Sequence, residues 1–274
     1  MSTLYLVSTP IGNLEDLSAR AIRILNEVNL IAAEDTRHTA KLLNHFGIRT
    51  RSTSYYDHNK GQKIGKVLDA LAAGDVALVS DAGTPGLNDP GYLLVRAALD
   101  AGHTVSPIPG PSAPISALVV SGLPTDQFLY LGYLPRKAGE RRRVIEEVEA
   151  LRYTLIFFET PHRMEEALAD LEEILGDRQI AVAGELTKLY EEVFRGSISA
   201  ARNHFKDHPA RGEYTLIVDG QNKEDKLWEE GDVRHAVKSP PYSQMPPSQA
   251  ARELAEKSGW PRRKIYELLT KTDE

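Results

Sequence analysis

Three short stretches, each rich in glycine, proline and small polar residues, follow apolar runs in the first half of the sequence. They are TPIGN at residues 9–13, DAGTPG at 81–86 and PGPSA at 109–113. Glycine lets a backbone turn tightly and approach a ligand without interference from a Cβ atom. The carboxylate of Asp81 can bind hydroxyl or ammonium groups, and Ser112 can cap a following helix. Each stretch alone is more typical of a structural turn, but three at the same end of successive strands favour a ligand-binding cleft.

The segment AEDTRHT at residues 33–39 carries groups suited to proton transfer beside a phosphate. Glu34 or Asp35 could accept a proton as a general base, and the Arg37 guanidinium could form two hydrogen bonds with a phosphate. An internal ion pair or a helix cap explains the same residues equally well, so both interpretations stay open. The polar and aromatic segment YYDH at 55–58 could stack on nucleic-acid bases, although a solvated turn is the simpler explanation.

A cluster of basic residues stands out from a chain whose formal net charge is -6. Its members are Arg136, Lys137, Arg141, Arg142 and Arg143. A cation-rich helix is usually solvated surface, but this one begins directly after a strand that leads towards the expected cleft. We therefore predict that the cluster binds phosphates of a nucleic acid, and that this binding weakens steeply with salt.

The elements that must position these residues follow from the hydrophobic pattern. Apolar runs at 4–8, 30–33, 76–80 and 104–108 read as strands, and helical spacing fills the segments between them. Strands that alternate with helices at this cadence predict a largely parallel sheet covered on both faces, with ligands at the carboxyl ends of the strands. The fold class is therefore α/β.

A second α/β unit begins after Gly122. Its expected strands lie at 128–131, 154–158, 180–183, 192–195 and 214–218, and the pattern is more mixed than parallel. The predicted domains are thus residues 1–122, which hold the ligand loops, and residues 123–220, which close the cleft.

The C-terminal segment differs from both units. Residues 221–247 are polar and proline-rich, which predicts a linker, and residues 248–274 show the spacing of a small helix–turn–helix-like pair. Arg262, Arg263 and Lys264 fall in the first turn of the second helix, where the helix dipole disfavours cations. Phosphate contact is one explanation, and a helical hairpin docked on its own or a partner subunit is the other.

Several classes of protein are excluded by composition. The chain has no cysteine, which rules out disulfides, cysteine-bound zinc and iron–sulfur clusters. No apolar run reaches about eighteen residues and no signal-peptide pattern opens the chain, so we expect a cytoplasmic protein without membrane spans. Neither a P-loop nor a GxGxxG motif is present, which disfavours NTPases and dinucleotide enzymes. No metal is expected.

A series of motifs in fixed order carries a resemblance to a known family. The motifs are LVSTPIGNLEDLS (6–18), AEDTRHT (33–39), SDAGTPGLNDPG (80–91), PGPSA (109–113), GYLPRK (132–137), FFETPHR (157–163), GELTK (184–188) and RGEYTLIV (211–218). Together they resemble the ribosomal RNA small subunit methyltransferase I family of the tetrapyrrole-methylase superfamily. The resemblance implies two α/β domains, S-adenosylmethionine (SAM) bound between them, methylation of a cytidine 2′-hydroxyl in 16S rRNA, and a homodimer.

The resemblance also implies positions for the cofactor. Those in the first domain are Pro10, Asp81, Thr84, Ser112 and Ala113, and those in the second are Glu159 and Leu186. SAM carries its own leaving group, so positioning the acceptor oxygen is the main catalytic task, and a base is expected because a ribose hydroxyl is a poor nucleophile. Neither step requires a metal.

Three functions from different classes remain open. The leading one is an rRNA methyltransferase that acts on 16S rRNA or the small ribosomal subunit. The second is a small-molecule methyltransferase for a tetrapyrrole-type ring, which would not need a long basic surface. The third is a ligand-sensing helix–turn–helix regulator, although the helical pair is a small fraction of the chain.

Overall fold

The first sheet is built from short strands that the hydrophobic pattern largely located. These are β1 (Thr3–Val7), β2 (Leu30–Ala33), β3 (Ser52–Ser54), β4 (Val76–Val79) and β5 (Thr104–Ile108). Their order is β3-β2-β4-β1-β5, and every neighbouring pair is parallel. All four residues of β4 are buried, as expected for a central strand covered on both faces. The prediction of a parallel sheet is confirmed.

The structure is a computed structural model, and it describes residues 2–55, 60–89, 91–208, 212–221 and 228–270. The chain divides into two compact units, Met1–Gly220 and Gln221–Glu274. The larger unit contains both sheets. The predicted boundary after residue 122 therefore lies inside one unit and stays a prediction.

Four helices cover the first sheet, two on each face. They are α1 (Ala19–Glu27), α2 (Thr36–His45), α3 (Lys60–Ala73) and α4 (Tyr92–Asp100). Leu25 and Leu43 of α1 and α2 share a buried cluster with Ile31 on one face. Leu71 and Leu94 of α3 and α4 share another on the opposite face.

The next helix, α5 (Ala113–Ser121), joins the first sheet to the second. Its buried residues Ala117 and Leu118 lie in a cluster with Ile156, Ala181 and Ile217 of the second sheet. The helix that follows β5 of the first sheet therefore packs on the second sheet.

The second sheet is mixed, as predicted. Its strands are β6 (Phe128–Tyr133), β7 (Thr154–Glu159), β8 (Gln179–Gly184), β9 (Glu192–Ser197) and β10 (Tyr214–Val218), in the order β6-β7-β10-β8-β9. Only the β6–β7 pair is parallel. The face opposite α5 is covered by α6 (Ala138–Val148), α7 (Met164–Leu175) and α8 (Ile198–Asp207).

The smaller unit has its own hydrophobic core. Its helices are α9 (Glu230–Lys238), α10 (Pro247–Ser258) and α11 (Arg262–Thr270), with Gly259 in the left-handed conformation at the end of α10. Buried Val233 and Val237 of α9 share that core with Leu254 and Ile265. The segment predicted as a linker at 221–247 therefore contains a helix, because these valines are buried by α10 and α11.

Helix starts also differ in detail from the sequence interpretation. Asn13 caps a short 3-10 turn at residues 14–16, and Ser18 caps α1 through the Ala21 amide. Ser112 stands at the start of α5, but its side chain makes no capping hydrogen bond. Among the described residues, no helix is long and apolar enough to cross a membrane. No described group of three or more His, Cys, Asp or Glu side chains is arranged to hold a metal ion.

Candidate active site

A cavity of about 300 Å³ opens where the carboxyl ends of the strands of the first sheet face the second sheet. The first sheet and its loops contribute Ile11, Glu34, Asp81, Gly83, Thr84, Leu87, Asn88, Asp89, Ser112 and Ala113. The second sheet and its loops contribute Tyr133, Phe158, Ala183, Glu185, Leu186, Lys188, Glu213, Tyr214 and Thr215. The cavity thus lies where the sequence predicted a cleft.

The three glycine-rich loops of the first sheet are bonded to one another at the cavity. Thr9 and Gly83 exchange two backbone hydrogen bonds, of 2.9 and 3.0 Å. The Thr84 hydroxyl donates to the Pro111 carbonyl oxygen at 3.2 Å. Gly83 has φ +78°, a conformation that side chains rarely adopt, so this position requires glycine. The loops TPIGN, DAGTPG and PGPSA therefore form one continuous rim.

One glycine brings a loop of the first sheet against a loop of the second. A Cβ atom on Gly12 would lie 2.5 Å from Lys188 Cγ and 2.7 Å from the Leu186 carbonyl oxygen. The facing turn is itself held in an uncommon conformation, since Glu185 and Thr187 have φ values of 50° and 66°. The two loops close one edge of the cavity by direct contact.

Glu34 and Asp81 are joined across the ends of β2 and β4. The Asp81 amide donates to Glu34 Oε2 at 3.2 Å, and the Asp35 amide donates to Asp81 Oδ1 at 3.1 Å. Both carboxylates line the cavity. Glu34 is thus one predicted catalytic candidate that the structure places in the cavity.

Asp35 and Arg37 form the helix cap and the ion pair that the sequence analysis left open beside a catalytic role. Asp35 caps α2 by accepting the Arg37 amide at 2.8 Å, and it forms an ion pair with the Arg37 guanidinium at 2.7 Å. This side-chain hydrogen bond holds the pKa of Asp35 well below its usual range, which makes it a poor proton acceptor. Neither residue is among the described residues that line the cavity. The helix-cap interpretation fits both.

Asp89 is a cavity residue that the sequence interpretation did not single out. Burial, followed by the charge of Glu34, raises its pKa to about 6, and Asp81 and Glu213 contribute further. In the sequence, Asp89 belongs to the motif SDAGTPGLNDPG, where it cannot be distinguished from an ordinary turn residue.

The loop that carries Asp89 is fixed to β6 through its neighbour Asn88. Asn88 has φ 63°, and its Oδ1 accepts a hydrogen bond from the Tyr130 hydroxyl at 2.8 Å. A Cβ atom on Gly132 would lie 2.5 Å from Asn88 Nδ2, so glycine is needed for this approach. The first sheet's longest cavity loop is therefore anchored on the second sheet.

The other predicted cofactor positions divide into two groups. Thr84, Ser112, Ala113 and Leu186 line the cavity, whereas Pro10 and Glu159 are not among the described lining residues. Pro10 precedes the lining residue Ile11 in the rim loop. Glu159 is buried, and its Oε1 accepts hydrogen bonds from the Thr160 amide at 2.7 Å and from Arg163 Nε at 2.8 Å.

The predicted RNA-binding cluster also divides: Arg141 is buried, which contradicts a contact with RNA, whereas the Arg142 side chain stays 43% exposed. Arg141 is only 2% exposed, and its Nε donates to Asp170 at 2.6 Å. Arg142 pairs with Asp170 at 2.8 Å and with Glu173 at 2.7 Å. Both arginines form ion pairs with acidic side chains of α7 and so join α6 to α7.

The remaining members of that cluster are on the surface. Arg136, Lys137 and Arg143 are exposed, and Lys137 pairs with Glu140 at 3.0 Å. In the segment predicted to stack on bases, Tyr55 is fully buried, and residues 56–58 lie outside the described part of the chain.

Comparison with known proteins gives the class. The family model described as tetrapyrrole (corrin/porphyrin) methylases matches residues 3–202. A diphthine synthase has the same fold, with a TM-score of 0.64 at 15% identity over 80% of this chain and 90% of that one. Uroporphyrin-III-C-methyltransferase of Thermus thermophilus gives a TM-score of 0.58 at 18% identity over 80% and 94%. The solved structures share the fold, and the family model places the chain among the tetrapyrrole (corrin/porphyrin) methylases.

Curated relatives narrow the class further. Proteins named ribosomal RNA small subunit methyltransferase I are 45% identical over 271 residues in Halalkalibacterium halodurans, covering 97% of this chain and 94% of the relative. That of Synechocystis sp. is 45% identical over 271 residues, covering 98% and 97%. That of Bacillus subtilis is 41% identical over 273 residues, covering 97% and 94%. The chain belongs to the ribosomal RNA small subunit methyltransferase I family within the tetrapyrrole (corrin/porphyrin) methylases.

The methyl donor implied by this family is SAM, and the cavity lining suits it. SAM carries a sulfonium and an ammonium group, and the lining offers five carboxylates, Glu34, Asp81, Asp89, Glu185 and Glu213, against the single described cation Lys188. Lys188 is paired with Glu185 at 2.8 Å, which leaves an acidic surface. The lining also includes the apolar side chains of Ile11, Leu87 and Phe158, and ligand cavities are commonly lined by such side chains.

Proposed function

We propose that this protein transfers a methyl group from SAM to the 2′-hydroxyl of a cytidine in 16S rRNA of the small ribosomal subunit. The observation that carries the proposal is the acidic cavity at the joined ends of the two sheets, in a chain that aligns with rRNA methyltransferases over 97% of its length. The negative charge of an acidic cavity attracts a cationic methyl donor and repels a phosphorylated, anionic one.

In this proposal the bound donor supplies an activated methyl group on a positively charged sulfur. The protein's own task is to hold the donor and the acceptor hydroxyl in line and to exclude water. Glu34, Asp81 and the rim around Gly83 hold the positively charged end of the donor. Tyr133 and Phe158 line the side contributed by the second sheet, and they restrict where an acceptor enters.

We assign the RNA phosphates to the exposed part of the predicted basic cluster, Arg136, Lys137 and Arg143. These residues follow β6, whose last residue Tyr133 lines the cavity; Arg136 and Lys137 directly precede α6, and Arg143 lies within it. Phosphate contacts fix the register of an RNA without reading its sequence. Contacts between these cations and the RNA backbone would then bring the acceptor ribose to the cavity.

Replacing both Arg136 and Lys137 by alanine should weaken RNA binding and reduce its dependence on salt. Each phosphate contact that is lost lowers the slope of log affinity against log salt by roughly 0.7 to 0.9, so the pair should lower it by about 1.5. Titration of labelled 16S rRNA at several salt concentrations measures the slope. Arg23→Ala, which removes an exposed cation of α1 that is paired with Glu27, is the matched control. An unchanged slope in the double variant would exclude this surface.

We also propose a cytoplasmic homodimer. Large apolar side chains remain exposed on α5 and before β9: Val119 is 65% exposed, Leu189 87% and Tyr190 80%. The Arg195 guanidinium of β9 donates a hydrogen bond to the Val120 carbonyl oxygen of α5 at 3.1 Å, so β9 is held against α5. Burying such a surface against a second copy would remove apolar area from water. Analytical ultracentrifugation that finds only monomer would refute it.

Transfer of radiolabel from methyl-labelled SAM tests the reaction itself. Small ribosomal subunits, naked 16S rRNA and a tetrapyrrole precursor are offered in parallel. We expect label in rRNA at an alkali-resistant linkage, because a 2′-O-methyl group blocks cleavage there. Asp81→Ala should abolish methyl transfer, and thermal melting should show that the variant remains folded. Label in the tetrapyrrole alone would favour a small-molecule enzyme, and the absence of both transfer and SAM binding would favour a regulator.

A further inference from the structure

We propose that the ring of Tyr133 stacks on the base of the acceptor nucleotide while the ribose of that nucleotide enters the cavity. The inference rests on the proposed function, since it requires an RNA acceptor. It adds a contact with the base to the phosphate contacts assigned to Arg136, Lys137 and Arg143.

The first argument is that the ring is available at the cavity. Tyr133 is the last residue of β6 and lines the cavity, yet it is 44% exposed. Its ring centroid lies 5.3 Å from that of Phe158, and the two ring planes are tilted by 56°. Because the rings are not parallel, Phe158 supports Tyr133 without covering its face. A base that has left its stack binds to such a flat aromatic surface.

The second argument is that an irregularity in β6 directs the ring to the cavity. Side chains alternate along a strand, so Tyr130 and Tyr133 would face opposite ways in a regular strand. The pairing of β6 with β7 shifts in register between Tyr130 and Gly132, and Gly132 has φ 68°. As a result both tyrosine rings contact Phe158, at 5.4 and 5.3 Å between ring centroids. Bulges often redirect a side chain next to an active site, and this one turns Tyr133 towards the cavity.

The third argument is the charge around the ring. Burial, followed by the charge of Glu213, raises the pKa of the Tyr133 hydroxyl. Asp89 and Glu159 raise this pKa further, so the hydroxyl is protonated and uncharged at neutral pH. An uncharged ring neither attracts nor repels phosphates. Its contact with RNA should therefore depend little on salt, unlike the contacts of a cation.

The fourth argument is the place of Tyr133 along the proposed path of the RNA. The ring lines the cavity that the acceptor ribose must enter, and Arg136 and Lys137 follow it after two residues of the chain. Proteins that bind single-stranded nucleic acid combine cations for the backbone with aromatic rings for the bases. A ribose that enters a cavity carries its base away from the neighbouring bases, and the lost stacking is unfavourable. Stacking on Tyr133 compensates for that loss.

Titration of labelled 16S rRNA with the full-length protein tests the stacking contact. Tyr133→Ala should weaken binding by about 5- to 150-fold, the range expected when an aromatic side chain that stacks on a base is removed. The slope of log affinity against log salt should stay that of the wild type, because no phosphate contact is lost. Tyr133→Leu, which keeps an apolar side chain without a flat ring, should lose as much affinity. Tyr133→Phe should keep most of it.

The matched control is Tyr153→Ala. Tyr153 is 41% exposed and directly precedes β7, whose first residue pairs with Phe128 at the far end of β6 from Tyr133. This variant should bind 16S rRNA as the wild type does. Calorimetry should give Tyr133→Ala the wild-type affinity for SAM, and thermal melting should show that it is folded. An equal loss of SAM and RNA affinity would assign the ring to the donor and overturn the proposal.

The outcomes separate this proposal from the proposed function. If Tyr133→Ala binds 16S rRNA as tightly as the wild type, or if its salt slope falls like that of the Arg136 and Lys137 double variant, stacking on Tyr133 is overturned. If the wild type transfers no methyl group to rRNA but Tyr133→Ala still loses affinity for it, the proposed function fails and the stacking contact stands.

Discussion

Asp170→Ala is expected to destabilise the larger unit by about 3–5 kcal/mol, because it leaves the buried Arg141 guanidinium without its main partner. Arg141 and Asp170 are 3% and 5% exposed in their side chains, and their atoms approach to 2.6 Å. The remaining contact of Arg141 with Glu166, at 3.4 Å, is with an exposed side chain. For a protein of this size, such a loss lowers the melting temperature by about 10 °C. Thermal melting and urea unfolding measure it.

Two further variants make this prediction specific to the buried pair. Glu27→Ala breaks the exposed Arg23–Glu27 pair, whose side chains are 58% and 55% exposed, and should change stability by less than about 1 kcal/mol. Replacing Arg141 by methionine together with Asp170 by leucine should recover most of the loss, since a buried pair can be replaced by apolar side chains of similar volume. A single Asp170→Ala variant as stable as the wild type would contradict the prediction.

Gly12→Val is expected to lower SAM affinity by about 100-fold, which corresponds to ~2.7 kcal/mol. The added side chain would meet the Leu186 carbonyl oxygen, for which the Cβ distance is 2.7 Å, and backbone cannot shift as cheaply as a flexible side chain. The TPIGN loop must then separate from the turn at 185–188, which opens the edge of the cavity. Calorimetry with SAM measures the loss.

The matched control is Gly65→Ala on the exposed face of α3, where an added Cβ atom meets nothing within 4 Å. This change should leave SAM affinity unchanged and should stabilise the helix slightly. Gly12→Ala should fall between the wild type and Gly12→Val. If Gly12→Val bound SAM within threefold of the wild type, contact between these loops would not be what closes the cavity.

The part of the fold that could be predicted depended on local patterns. Most strands of the two sheets follow short apolar runs, although the polar strand β3 does not and was missed. The three glycine-rich loops were recognisable by composition. Because parallel strands place their carboxyl ends at one edge, the meeting of those loops at Gly83 followed from topology. The family resemblance added the donor and the acceptor, which no local pattern contained.

The part that could not be predicted depended on partners distant in sequence. Arg141 looked like a surface cation because Asp170 lies 29 residues away on another helix. Asp89 looked like a turn residue because the charges that act on it come from the ends of β2 and β4 and from the segment before β10. The helix α9 was hidden among polar and proline residues, since only burial against α10 and α11 distinguishes Val233 and Val237 from solvent-exposed positions.

The acidic lining also bears on which inhibitors would suit this protein. A thioether such as the demethylated product has lost the sulfonium charge, whereas an analogue with a protonated amine in place of sulfur keeps it. Electrostatic attraction to the carboxylates around Asp81 then favours the charged analogue over a neutral one of the same shape. Compounds with a permanent cation at that centre should therefore compete better than the spent donor.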